Sequence, residues 1–170
     1  ETRKYVFLDE NSVARTWGRE GIGGWRLDVA PDIDNGSDPN NIYWEAFRTV
    51  VKNTNPDAVI IGEEWADSSE WLQGDEWDST MNYRLRAGIL GYVRDSDYQD
   101  NDSNGDRLIS ALAPSEFNSV IRAIEEDYPA QAYHALLNLL DSHDTSRLFF
   151  VVNNDPQLQQ LAALAQFTLP

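Results

Sequence analysis

Cysteine is absent from the 170 residues, which excludes disulfides, thiolate metal sites and cysteine nucleophiles while leaving both an extracellular and a cytoplasmic setting open. Positive charge is scarce. Thirteen Lys and Arg, only two of them Lys, stand against 29 Asp and Glu, a net charge of −16. A protein that tracks phosphates needs a basic face, so neither nucleic acid nor an anionic membrane surface is expected as a partner. Histidine occurs only twice, and no histidine-rich zinc site is expected. Long apolar runs are also lacking. Ala58 to Gly62 and Ala135 to Leu140 fall far short of the ~20 residues of a membrane helix, and residues 1–20 are too charged for a signal peptide. No targeting segment is read in the chain, and location stays undecided between secreted and cytoplasmic.

What remains is an ordinary globular composition, 41% hydrophobic with six Trp, at a size that allows one domain with its own core. Asn11 to Glu20 has helical spacing and stops at Gly21. Gly24 to Val29 alternates between Gly-rich and Pro-containing boundaries, as a strand does, and carries Asp28 near its C-terminal end. Ile42 to Asn53 places Ile42, Tyr43, Ala46, Phe47, Val50 and Val51 at spacings of three and four, an amphipathic helix. Ala58 to Gly62 is the β-branched run of a strand buried on both faces, and it delivers Glu63 and Glu64 to its end. The unit then recurs more faintly. Strands are expected at Asp78–Tyr83 and Ala135–Ser142, and helices at Arg84–Val93, Pro114–Tyr128 and Asp155–Phe167. Strands alternating with helices, with acids collected past strand ends, predict parallel βαβ units. A small open sheet and a piece of a (β/α)8 barrel both fit that count, since a whole barrel needs typically ~250 residues.

Three expected strand ends present carboxylates: Asp28, Glu63 and Asp144. Taken singly, each reads as an N-cap or loop residue. Together, on the face where parallel strands converge, they suit glycoside cleavage, which needs one carboxylate as nucleophile and one carboxylic acid to protonate the leaving oxygen. Arg26, two residues before Asp28, points to the same side of its strand and can hold that carboxylate by a charge-assisted hydrogen bond, or form a plain core salt bridge. Glu64 should point to the opposite face from Glu63.

The strings Gly24-Trp25-Arg26-Leu27-Asp28-Val29-Ala30, Ile61-Gly62-Glu63-Glu64-Trp65 and Leu140-Asp141-Ser142-His143-Asp144-Thr145 resemble, in order and at fitting separations, three conserved regions of the α-amylase family, glycoside hydrolase family thirteen. Trp71-Leu72-Gln73-Gly74-Asp75 and Met81-Asn82-Tyr83 look most like its neopullulanase, cyclomaltodextrinase and amylopullulanase members. The resemblance covers nearly the whole chain. It implies an α/β fold, a partial (β/α)8 TIM barrel from the helix before strand four to the start of strand eight, with residues 1–170 as one partial catalytic domain. It implies a retaining α-glycosidase acting by double displacement on α-1,4 bonds, and as a second candidate α-1,6 bonds, in starch, pullulan or maltodextrins. Asp28 then matches the nucleophile, Glu63 the general acid/base, and Asp144 the third carboxylate that grips sugar hydroxyls. Arg26 and His143 match the arginine beside the nucleophile and a sugar-binding histidine. Trp65 and Asp32 fall at substrate-binding places. No cofactor is required by such a reaction, and the remainder of the barrel is the expected partner within a parent protein. Three departures stand out: the family's earlier Asp-x-x-x-Asn-His region and its Gly-x-Pro-x-x-Tyr-Tyr-Gly stretch are absent, and Pro31-Asp32 stands where pullulan-degrading relatives usually show Asn-Glu. The other readings are a catalytically inactive fragment and a non-catalytic barrel relative that binds partners; the retained carboxylates favour the enzyme.

Weaker signals complete the reading. Asp100, Asp102, Asn104 and Asp106 follow the alternation of a calcium loop, but position twelve is Ala111 and a solvated acidic loop is the plainer reading. His134, among apolar residues, is expected to be packed. Trp25 and Trp44 are expected in the core, Trp65 and Trp71 as stacking platforms for sugar rings.

Overall fold

Two glycines set how closely the first strands approach. In the computed structural model, which describes residues 1–34, 41–98 and 109–170, β1 (Gly24–Leu27) and β2 (Val59–Gly62) run parallel with Gly24 opposite Val59 and Leu27 opposite Gly62. A Cβ on Gly24 would lie 2.2 Å from the Val59 carbonyl oxygen. One on Gly62 would lie 2.2 Å from the ring of Trp77. Only glycine allows either approach. A third parallel strand, β3 (Ser79–Thr80), pairs with Ile61 and Gly62, so the sheet order is β1-β2-β3.

The described residues divide into two compact units, 1–64 with 68–80, and 65–67 with 81–170. In the first, a π-helical turn (Lys4–Leu8) and α1 (Val13–Arg19) precede β1, and α2 (Tyr43–Thr54) joins β1 to β2 as the crossover that parallel pairing requires. The apolar face of α2 buries Tyr43, Trp44, Phe47, Val50 and Val51. Its aromatics meet edge to face: Phe7 with Tyr43 and Phe47, Trp25 with Phe47, and Trp44 with Trp77. The opposite edge of α2 ties to the sheet through Asp78, which accepts Arg48 Nη1 at 2.8 Å, Lys52 Nζ at 2.7 Å and the Ile60 amide at 2.9 Å. Burial alone would push the Asp78 carboxyl up; the Lys52, Ile60 and Arg48 bonds outweigh it and hold the group below the usual carboxylate range.

The second unit is helical. It holds α3 (Tyr83–Val93), α4 (Pro114–Asp127), a short α5 (Ala130–Tyr133), a short α6 (Leu148–Val151) and α7 (Pro156–Thr168), with α3 packed on α4 and α7. The starts are capped as their residues dictate. Asn82 accepts the Leu85 amide, Asp155 accepts the Gln157 and Leu158 amides ahead of Pro156, and the Glu116 side chain turns back to the Ala113 amide.

The helices expected from spacing are present within one or two residues, and both well-marked strands form, although β1 ends at Leu27 rather than Val29. The expected strand at Ala135–Ser142 does not form. Only a parallel bridge between Met81 and Leu137 is made, and Leu137 is 41% exposed. The Asn138 carbonyl accepts Gln166 Nε2 of α7 and its amide donates to Leu136 O, so neither backbone group is free for a sheet ladder, while its side chain donates to the Leu169 and Pro170 oxygens and accepts Asn82 Nδ2. His134 is exposed rather than packed, because it caps the short α5 from outside while Tyr133 takes the buried place. The loop Asp100, Asp102, Asn104 and Asp106 lies outside the described residues.

Gly62→Ala should cost about 1–3 kcal/mol, because the added methyl must displace a Trp77 ring that is itself buried. Denaturant unfolding measures it, and wild-type stability would show that the ring is free to move aside.

Candidate functional site

The end of β1 delivers Arg26, Leu27 and Asp28 in succession. Leu27 is buried, while Arg26 and Asp28 lie on the open side with the Asp28 side chain 74% exposed. The chain then turns abruptly: Val29 adopts the left-handed conformation (φ 42°, ψ 46°), rare for a β-branched residue. A 3-10 turn follows over Ala30–Asp32, with Asp32 exposed. Its carbonyls are caught by α2 and its approach: Trp44 Nε1 donates to Ala30 O at 3.2 Å and Asn41 Nδ2 to Ile33 O at 2.9 Å.

The strained residue has a visible consequence. Its amide donates to Glu63 Oε2 at 2.9 Å, from the first position past β2. Glu63 Oε1 lies 2.8 Å from Arg26 Nη2, and the other terminal nitrogen of the same guanidinium contacts Asp28 Oδ1. One arginine therefore holds the two carboxylates on the same side of the sheet. Their environments differ sharply: Glu63 is 5% exposed and bonded at both oxygens, and Asp28 stands in solvent. A cavity of about 200 Å³ opens against Arg26 and Asp28, walled by Trp25, Ile33, Trp44 and Phe47 among others. Val6, Val13, Ala14 and Leu27 complete its wall, so it is apolar apart from its charged rim.

Within the second unit, Asp144 follows the Leu139-Leu140 pair. Its amide donates to Ser142 Oγ at 3.2 Å, and that oxygen also accepts the Tyr83 hydroxyl at 3.0 Å. The Ser142 amide in turn donates to Thr145 Oγ1. His143 Nε2 lies 3.2 Å from Asp144 Oδ2, and the His143 side chain is largely exposed. Tyr83 is buried, and its ring stacks on Trp65 with centroids 4.0 Å apart. One face of the Trp65 ring is thus already occupied by tyrosine. Trp71 is not a platform: it is buried, stacked on Trp77 at 4.8 Å, with its Nε1 donating to Asp34 O. The reason is burial of the Ser69–Leu72 turn, which brings both Trp71 and Leu72 inside. Asp141 has a structural task, accepting the Leu148 amide at the start of α6 and pairing with Arg147.

Parallel strands joined by helices, with carboxylates collected just past their ends, define a segment of a (β/α)8-type catalytic domain. The comparisons are specific. The family model for the alpha amylase catalytic domain matches residues 3–170, and the chain belongs to the α-amylase family. It is 38% identical to neopullulanase 2 of Thermoactinomyces vulgaris over 168 residues, 99% of this chain and 25% of that protein. It is 41% identical to a cyclomaltodextrinase of a Bacillus species over 157 residues, 91% of this chain and 24% of the relative. Among solved structures, the cyclic alpha-maltosyl-(1→6)-maltose hydrolase of Arthrobacter globiformis superposes with a TM-score of 0.78 at 36% identity, over 92% of this chain and 31% of that one. The chain thus spans about a quarter of the length of these curated relatives.

Val29 escapes a reading by pattern, since nothing in its residue type announces a left-handed backbone. A left-handed non-glycine residue costs of order 1–3 kcal/mol, and glycine gives back roughly 0.5–1 kcal/mol in chain entropy. Val29→Gly should therefore stabilise the chain by about 1 kcal/mol in urea unfolding, with its half-exposed side chain sacrificing little packing. A destabilised variant would refute the strain.

Proposed function

We propose that this chain supplies the reacting carboxylates of a retaining α-glycosidase that hydrolyses α-1,4 glucosidic bonds, and secondarily α-1,6 bonds, in starch, pullulan or maltodextrins. The observation that carries the reading is the guanidinium of Arg26 held between Asp28 and Glu63. Retaining cleavage needs two carboxyl groups close together, about 5–5.5 Å apart, in unlike surroundings. Family membership and the printed names of the relatives, neopullulanase and cyclomaltodextrinase, support the substrate class.

The exposed Asp28 carboxylate attacks the anomeric carbon, forming a glycosyl ester as the bond to the glycosidic oxygen breaks. Glu63 gives its proton to that oxygen, and the shortened glucan leaves as an alcohol. Glu63, now a carboxylate, takes a proton from a water that attacks the same carbon from the face the alcohol vacated. The ester breaks, Asp28 is regenerated, and the sugar keeps its α configuration. Arg26 stabilises the Asp28 carboxylate as it is released. Asp144 and His143 bind sugar hydroxyls, a role that rests on their match to the family motif, and Trp65 and the exposed Asp32 serve the sugars on either side. The reaction uses carboxylates and water and calls on no cofactor.

In a catalytic domain that includes this chain, Asp28→Asn should abolish turnover of maltodextrins. Glu63→Gln should lower it by about 10²–10⁴-fold, and less on substrates whose leaving group needs no proton. Rates within tenfold of wild type for either variant would sink the assignment. Asp141→Asn should keep turnover while lowering stability through α6.

A further inference from the structure

We infer that Thr80 is a positioning residue for Glu63, acting through a buried chain of hydroxyls that fixes the peptide group carrying the acid. Thr80 closes β3 opposite Gly62, the last residue of β2, and Glu63 comes next in the chain after Gly62. Thr80 Oγ1 donates to Gly62 O at 3.2 Å and accepts Ser68 Oγ at 2.9 Å. Chemistry sets the direction: a carbonyl only accepts, so the single Thr80 proton goes to Gly62 and Ser68 supplies the proton between the two hydroxyls. Ser68 and Thr80 are both buried. The inference rests on the acid/base role proposed for Glu63 and extends it to the residue that holds Glu63 in place.

The Gly62–Glu63 peptide group is bonded from both neighbouring strands. Its N–H donates to Leu27 O of β1 at 2.9 Å, and its C=O receives the Thr80 hydroxyl from β3. The Glu63 carboxyl is held from the β1 side as well, by Arg26 and by the Val29 amide just past that strand. Those contacts draw Glu63 toward β1, and the bond from Thr80 counters them across the same peptide plane. Gly62 itself lies against the buried Trp77 ring, which limits how far the backbone can shift. A strand position this buried suits a branched apolar side chain, and valine has nearly the shape of threonine without the oxygen. A buried hydroxyl gains little net stability once its desolvation is counted, so what it adds over a methyl is direction. That matters here, because an acid that must reach a glycosidic oxygen loses rate when it is displaced by about an ångström.

The test is kinetic, in a catalytic domain that includes this chain, with Thr80→Val, Thr80→Ser and Glu63→Gln compared on a maltooligosaccharide and on α-maltosyl fluoride, whose leaving group needs no proton. The ratio kcat/KM reports the first displacement, where Glu63 acts as the acid. Thr80→Val should lower it by about three- to tenfold on the oligosaccharide, the loss of one hydrogen bond, and leave it within about twofold on the fluoride. Thr80→Ser keeps the hydroxyl and should recover the oligosaccharide rate. A residue that merely supports the fold would affect both substrates alike, so equal losses on the two overturn the inference, as does an unchanged oligosaccharide rate in Thr80→Val. If Thr80→Val does not fold, Thr80→Ala against Thr80→Ser makes the same comparison, since these two differ only by the oxygen: Ala must show the selective loss and Ser must not. Glu63→Gln is the reference. Where it shows the selective loss and the Thr80 variants do not, the positioning role alone fails; where Glu63→Gln itself lacks that pattern, the acid assignment falls and the inference with it.

Discussion

A single guanidinium organises the candidate site. Arg26 reaches one carboxyl group through each terminal nitrogen, and the rigid fork of arginine is what lets one cation hold both at defined positions. Lysine, a point charge on a flexible stem, would neutralise them without separating them. The position of Arg26 depends in turn on β1 lying in register beside β2, with Arg26 opposite Ile61. That pairing is close only because Gly24 and Gly62 carry no Cβ. The path from backbone spacing to charge placement is short, and a shift of one residue in β1 would send Arg26 to the other face.

The turn at Val29 completes the arrangement from the other side. An extended chain would carry the amide away from Glu63; the left-handed residue turns it toward Oε2. Glu63 is therefore bonded by two different elements, a strand side chain and a loop backbone, while Asp28 keeps most of its surface open. Two acids of the same chemistry acquire distinct surroundings from the geometry of six residues. Strain of this kind persists where the neighbouring structure over-determines it. Here the carbonyls just beyond the turn are fastened by Trp44, Asn41 and Trp71.

Period and punctuation made most of this legible before any coordinates. The three-and-four spacing of Tyr43, Phe47, Val50 and Val51, and the β-branched run of Val59 to Ile61, each specify one element with little competition. Asp28 and Glu63 are found at strand ends for that reason. Ala135–Ser142 has the same apolar look, but its pairing depends on distant partners: with Asn138 bonded to the end of α7, only Leu137 makes a bridge, to Met81. Trp71 was misleading because a tryptophan after a strand looks the same whether its turn faces outward or folds inward. The contact of Tyr83 with Ser142, 59 residues apart, and the meeting of Asp34, Glu45 and Glu76 are products of tertiary closure that no local window contains.

Glu76 and Asp78 show how far the surroundings, rather than residue type, decide what an acid does. They are two residues apart, and both are part-buried, so desolvation raises each. Asp78 faces Arg48, Lys52 and the Ile60 amide, and these overcome burial; Glu76 faces four further acids and receives Arg48 only at its backbone oxygen. The two side chains meet different neighbours: Asp78 anchors a helix to the sheet, and Glu76 lies among other acids. In a chain with 29 acids and 13 bases, cations are the limiting partner. Both cations of α2, Arg48 and Lys52, are spent on Asp78, which stays below the usual carboxylate range while Glu76, two residues away among acids, is pushed above it.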